Sequence, residues 1–246
     1  MTAFSVYEGT VVTPPMQFSG LALDTTPKMQ TGALLQAVDN WWGCGEFIYA
    51  RAAGTIRQFG LVVLTPVFDS TLNTWRYDAT EVPNTANLGR EVLVAMNAMT
   101  SGQYSWFQVS GISPVNCQAS VAADTTFGIA AAGQGGANSA GKQLLGGRVI
   151  AAGATTVVKA NCIAPSGSNQ LNVPNAEGWF VGAYLSGTGI AGGTTVTAIS
   201  ADGRTVTLSA VTTAAVAGSV TATYNNGTVF YNVARFGRMF AQGAIT

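Results

Sequence analysis

The sequence predicts an all-β chain: a β-barrel or sandwich main domain with a small antiparallel, Ig-like β-sandwich module inserted or appended near its C-terminal end. Three observations carry this. Glycine takes 30 of 246 positions and breaks the chain into apolar runs too short for helices. Those runs are rich in Val, Ile, Phe, Tyr, Trp and Thr, which suit a pleated, half-buried surface. Towards the C-terminus Thr alternates with Val, Leu or Ala, the period-two pattern of a strand with one buried face.

Residues 1–30 carry Pro14, Pro15 and Pro27 with little helical periodicity. They read as an extended arm with one short strand over 8–13. Arms of this kind cross to a neighbouring subunit or lie over the protein's own surface. The main domain is drawn over 31–160. Residues 33–38 suggest a helical turn, stopped by Gly43 and Gly45. Runs 47–50 and 59–64, the latter closed by Pro66, read as strands. Runs 92–96 and 104–109 follow, separated by a turn at Ser101-Gly102. Ala, Leu and Met would also favour a helix over 88–99, but the short run and its aromatic neighbour favour a strand. The pattern continues over 119–132, a glycine-rich loop spans 133–141, and 147–150 and 155–158 are further short runs.

The module is drawn at 161–226, with alternating runs at 171–173, 196–199, 205–208 and 220–224. Asp202-Gly203 between two of them is a hairpin signal. The aromatic tail, 227–246, reads as strands returning to the main domain.

Composition bears on function. Charged residues make up 9% of the chain, Lys+Arg and Asp+Glu balance at 11 each, and there is no histidine; about 25% charged is usual. Without histidine there is no Ser-His-Asp triad, no Cys-His pair and no His-containing zinc site. Zero net charge with scattered basic residues argues against electrostatic binding of nucleic acid. Weak self-repulsion favours association and suits a component of a large assembly. No run of about 18 consecutive apolar residues indicates a membrane span. Residues 1–8 show no secretory signal, so the chain is expected to be made and kept in a cytoplasm unless a particle is released by lysis. Cys44, Cys117 and Cys162 are too few and too far apart for a four-ligand zinc site and read as small buried hydrophobes.

Several motifs carry a bland reading. Gly187-Thr188-Gly189-Ile190-Ala191-Gly192 fits a dinucleotide fingerprint, yet the strand-like Thr194-Thr195-Val196-Thr197 follows where a helix is needed. Gly136 to Lys142 approaches a phosphate loop, but Gln143 stands where a magnesium-binding hydroxyl belongs. Paired carboxylates can hydrolyse glycosides without histidine; Asp69, Asp78 and Glu81 lie in the most polar stretch, read as a solvated loop. Asn226-Gly227-Thr228 is a sequon whose better meaning is a hairpin turn. The five tryptophans include Trp75, an open candidate for stacking on sugar, and Trp106 and Trp179, read as core. Trp41 and Trp42 are adjacent, so in a strand they point to opposite faces; either one faces a partner as an interface anchor or the pair is simple core. With Tyr7 and Phe18 in the arm they are the candidate partner-interface residues. No catalytic, cofactor-binding or metal-ligating residue is assigned.

The segment 178–199, running Gly178-Trp179-Phe180-Val181-Gly182 to Gly192-Gly193-Thr194-Thr195-Val196-Thr197-Ala198-Ile199 and followed by Thr205-Val206-Thr207-Leu208-Ser209, resembles a small β module of tailed-bacteriophage virion proteins. Gly102-Gln103-Tyr104-Ser105-Trp106-Phe107-Gln108-Val109-Ser110-Gly111, then Ala140-Gly141-Lys142-Gln143-Leu144, resembles the barrel of phage head decoration (cement) proteins. That likeness covers 80–160, and residues 1–80 match nothing in it. The resemblance implies a non-enzymatic capsid decoration protein that binds the outer face of a phage head at subunit junctions and stabilises the shell. It implies the major capsid protein as partner, a homo-oligomer with a trimer favoured, and a place on the virion exterior after assembly in a bacterial host's cytoplasm. A host-surface glycan is a further candidate partner. The alternative is a tail, fibre or head-spike protein that attaches to the host surface; no coiled-coil or repetitive stalk supports it.

Overall fold

The computed structural model describes residues 23–39, 43–70, 73–151, 156–200, 202–223 and 230–243. Every helix-or-strand element among them is a strand, so the chain is all-β. It divides into two compact units: Met1–Ala152 with Tyr231–Thr246, and Gly153–Phe230.

The first unit is organised by a ring of five strands. β1 is Leu34–Asp39, β2 Gly43–Ala52, β3 Leu61–Asp69, β4 Thr74–Glu81, β5 Glu91–Ala95 and β6 Tyr104–Cys117. β2 pairs in parallel with β4, then β4 with β3, β3 with β5, β5 with β6 and β6 with β2, all antiparallel, which closes the circle. Alternate residues point inward: Ala50 and Ala52, Leu93 and Ala95, Phe107 and Val109, with Val62 and Ala79. Ile56 and Met99 exchange backbone hydrogen bonds of 2.9 Å each and join the same cluster. The alanines leave room for Phe107 and Leu93, the small-against-large filling a narrow barrel requires.

β6 is 14 residues long and serves two neighbourhoods. It bends at Gly111, whose φ of +122° lies in the region that favours glycine. A Cβ there would sit 2.7 Å from Gln108 Nε2 and 2.8 Å from the Cys44 carbonyl oxygen. β7 is Phe127–Ala131, β8 Gln134–Ala137, β9 Leu144–Ala151 and β16 Phe230–Ala241. β5 pairs with β6 through Val94 and Ala95, and with β16 through Glu91 and Val92. β16 also pairs with β9, and β8 joins β6 at Cys117↔Gly135.

The second unit holds β10 (Thr156–Ala164), β11 (Gln170–Asn172), β12 (Tyr184–Ser186), β13 (Val196–Ile199), β14 (Thr205–Leu208) and β15 (Val216–Thr223). They form one sheet in the order β12-β15-β10-β11-β14-β13. Its two ends meet through the Tyr184↔Thr195 bridge and the Leu185-to-Thr194 and Val196-to-Ala183 backbone hydrogen bonds. Trp179 is wholly buried, and its Nε1 donates to the Val157 carbonyl at 3.1 Å. The indole thus fills the core while its one polar atom is satisfied.

Three local expectations change. Residues 34–39 form β1 instead of a helical turn, because β2 offers a six-residue ladder from Leu34↔Ile48 to Asp39↔Gly43, and pairing outranks propensity. Part of the glycine-rich 133–141 segment is β8, paired with β7. The polar stretch around Asp78 and Glu81 is β4, a ring strand.

Phe107→Ala is expected to lower stability by about 3–5 kcal/mol, the usual range for an emptied aromatic core position, in a urea titration. A loss below about 1 kcal/mol would mean that the ring is not packed around this side chain.

Candidate functional site

β3 and β4 pair without a break from Val62↔Glu81 to Asp69↔Thr74. Near Ala79 they line the ring interior; further out they leave it. Side chains alternate, so the face that carries Val62 and Leu64 inside continues as Pro66 and Phe68, and that of Ala79 continues as Tyr77 and Trp75. The core-facing side of the hairpin therefore runs past the barrel rim, where it is largely exposed. Trp75 is 59% exposed, Phe68 49% and Tyr77 37%. Phe68 and Trp75 are directly paired, with ring centroids 5.5 Å apart at 65°, the edge-to-face arrangement aromatic pairs prefer.

The other face is ionic. Arg76 Nε lies 3.0 Å from Asp78 Oδ1, Arg76 Nη1 also pairs with Asp69, and Arg51 reaches Asp78 at 3.4 Å. Its hydrogen bonds to the Asp78 carboxylate raise the Arg76 guanidinium above its ordinary value. Asp69 and Asp78 are thus strand residues engaged by arginine, and Glu81 pairs with Arg57. The solvated-loop reading of these carboxylates is corrected.

Residues 24–32 brace the hairpin from its edge. Asp24 exchanges backbone hydrogen bonds with Tyr104, and its carboxylate accepts one from the Tyr49 hydroxyl at 2.7 Å. Tyr49 stacks on Tyr104 at 6.1 Å and meets Trp106 edge-on at 5.4 Å. Burial, then the hydrogen bond to Asp24, raises the Tyr49 phenol above the ordinary tyrosine range. Six residues on, Gln30 Nε2 donates to the Trp75 carbonyl at 2.8 Å, and Thr31 Oγ1 accepts from the Tyr77 backbone N–H at 2.9 Å. Gly32, at φ +92°, lets the chain pass the Tyr77 ring; a Cβ would lie 2.7 Å from Tyr77 Cε2. A second exposed pair, Leu145 and Phe240 on β9 and β16, is flanked by Arg238, which bridges Glu46 and Glu91. The β3–β4 face carries no such charge.

Tyr7, Phe18, Trp41 and Trp42, the interface candidates from sequence, lie outside the described residues. The exposed aromatics Phe68 and Tyr77 were not among them. Their signal was the alternation of 62, 64, 66 and 68 before a turn, mirrored by 75, 77 and 79 after it. Trp106 and Trp179 are buried. The three cysteines are free, with Cys117 and Cys162 buried and Cys44 exposed, which corrects the expectation for Cys44. Burial pushes the Cys117 thiol up to about 12. Gly187, Gly189 and Gly192 lie between β12 and β13, in turns with no helix after them. Lys142 Nζ is held by Asn84 Oδ1 at 2.8 Å. Among the described residues no group of three or more His, Cys, Asp or Glu is placed to hold a metal ion. The chain matches no protein-family model, no curated protein and no solved structure.

The raised Tyr49 phenol favours its neutral form in the fold. Its contribution is complete below the unfolded value of about pH 10 and is lost as pH rises through the folded value. Tyr49→Phe is expected to flatten the alkaline fall in urea stability while costing about 1–2 kcal/mol at neutral pH; an unchanged alkaline slope would remove Tyr49 as its source. In a native thiol titration, Cys44 is expected to react promptly, and Cys117 and Cys162 only on unfolding.

Proposed function

We propose that this chain is a structural virion protein, a capsid decoration protein that binds the outer face of a phage head at subunit junctions and stabilises the shell. The observation that supports it best is the uncharged aromatic face of Phe68, Trp75 and Tyr77, held on a hairpin whose back is cross-linked by ion pairs. A rigid aromatic anchor loses little conformational freedom on docking, and such residues carry most of the energy in protein interfaces. A chain with 9% charged residues and zero net charge is suited to adhesion by shape. Many copies on a lattice turn weak single contacts into firm attachment.

The partner is then the major capsid protein, and the subunits associate with one another, a trimer being the favoured form. The first unit faces the shell. The 161–226 module is available to host-surface glycans.

Decoration requires hundreds of copies per purified virion, counted by mass spectrometry, and heads that leak DNA on heating when the protein is missing. A few copies at the tail or a vertex, with sound heads and failed adsorption on removal, would instead mark an attachment protein. Trp75→Ser combined with Phe68→Ser is expected to weaken binding to undecorated heads by roughly tenfold or more, given about 1.5–3 kcal/mol per buried large side chain. Full decoration by this variant would take the hairpin out of the interface.

A further inference from the structure

We propose that the open cleft beside Gln143 and Gln242 in the first unit binds a neutral saccharide, with Phe240 and Leu145 as the surface on which a sugar ring lies. The inference rests neither on the decoration reading nor on any glycan contact by the 161–226 module.

Sheet register builds the site. Phe240 of β16 pairs with Leu145 of β9. Two residues on, the Gln242 backbone N–H donates to the Gln143 carbonyl at 2.9 Å, so the ladder continues beyond the two strands. Ala241 and Leu144, between these two pairs, are buried. Alternation then puts Gln242 on the side of Phe240, and Gln143 on the side of Leu145. Phe240 is 44% exposed and Leu145 46%. One outer face thus passes from an apolar pair to a pair of amides.

Two loops complete the cleft. Asn87, Asn138 and Ser139 line it together with Gln143 and Gln242, around a volume of about 560 Å³, within the range of small-molecule sites. The loops are locked to each other. The Asn87 N–H donates to the Gly141 carbonyl at 2.7 Å, and the Lys142 N–H closes a turn onto the Ser139 carbonyl at 3.0 Å. Gly141, at φ +74°, permits this approach; a Cβ there would lie 2.9 Å from both Ala86 Cβ and Asn87 Oδ1. Asn87 itself has φ +59°, a left-handed conformation that asparagine adopts more readily than most residues. The cleft is therefore formed before a ligand arrives, which lowers the cost of ordering it.

The chemistry selects the ligand. No charged side chain is among the described residues that line the cleft. Lys142 Nζ is held by Asn84, and Glu91, opposite Phe240 in the register, lies 3.5 Å from Arg238. A phosphate or carboxylate finds no counter-charge in this lining. A wholly apolar ligand would strip water from the polar side chains and give nothing back. Each amide offers donors and an acceptor, and the Ser139 hydroxyl offers both. Sugar hydroxyls use that mixture, and the C–H face of a pyranose suits the neighbouring aromatic ring. An extended peptide would instead seek free backbone groups at a strand edge. Here the Gln242 and Asn87 N–H groups and the Gln143 and Gly141 carbonyls are already paired with one another.

The test is an amide-correlation NMR titration of the full chain with maltotriose, triacetylchitotriose and galactobiose, and with inorganic phosphate as the charged comparison. At least one saccharide is expected to shift the side-chain amide signals of Gln143 and Gln242 saturably, with a Kd of about 0.1–10 mM that is insensitive to salt. Phe240→Ser, and separately Gln143→Ala with Gln242→Ala, are expected to raise that Kd roughly fivefold or more. Asn138→Ala, on the exposed loop, is expected to weaken binding in the same direction and serves where a strand variant disturbs the fold. Trp75→Ser with Phe68→Ser is expected to leave the titration unchanged. Absence of these shifts with all three saccharides up to about 10 mM overturns the proposal. So does tighter binding of phosphate, or saccharide binding that none of the cleft variants weakens, because the sugar then sits elsewhere. Head binding is measured separately, so either result leaves the decoration assay to stand or fall by itself.

Discussion

Closure of β2 onto β6 is the interaction on which the first unit depends. A sheet that ends in open edges exposes unpaired N–H and C=O groups and invites other chains to pair with them. This chain has few charges with which to discourage that. The ring β2-β4-β3-β5-β6 satisfies those groups internally and encloses Phe107 and Leu93 among alanines. The bend at Gly111 then lets β6 leave the ring, while β16 pairs with β5 at Glu91 and Val92. The Tyr184↔Thr195 bridge joins the sheet ends in the second unit. Both units thus turn some of their strand edges into internal pairings, while β1 and β7 remain at the ends of the larger sheet.

The same constraint creates the surface given a role here. β3 and β4 are longer than the ring needs, and alternation does not stop at the rim. The face that is core at Val62 and Ala79 becomes Phe68, Trp75 and Tyr77 outside. An extended hairpin of this kind would splay if nothing held it. Ion pairs among Arg51, Asp69, Arg76 and Asp78 hold its back, and the segment from Asp24 to Gly32 holds its edge through the Trp75 carbonyl and the Tyr77 amide. Tyr49 anchors that segment from beneath. The buried phenol, the brace and the hairpin form one mechanical series, and apolar side chains sit at its exposed end.

Much of the fold was legible because short β-branched and aromatic runs between glycines have few other uses. Runs at 47–50, 104–109 and 205–208 fall within β2, β6 and β14, and 92–96 overlaps all but one residue of β5. Elements whose structure comes from a partner were harder to see. Residues 34–39 have helix-compatible side chains and become a strand because β2 pairs with all six. β4 was hidden by Asp78 and Glu81, whose charges suggest solvent until Arg51, Arg76 and Arg57 are placed beside them. The candidate surface was missed for a related reason. Phe68 and Tyr77 look like ordinary strand hydrophobics, and only the position of the ring rim shows that they stand beyond it.

In the proposed adhesive role the two units would do unequal work: the aromatic hairpin would make the contact, and the six-stranded unit would be free for something else. The most direct measurement is an electron cryomicroscopy reconstruction of decorated heads at side-chain resolution. The account expects Phe68, Trp75 and Tyr77 to be buried against shell protein while Val158, Ile163 and Val211 of the second unit remain exposed to solvent. Density with the hairpin in solvent and the second unit seated on the shell would contradict it.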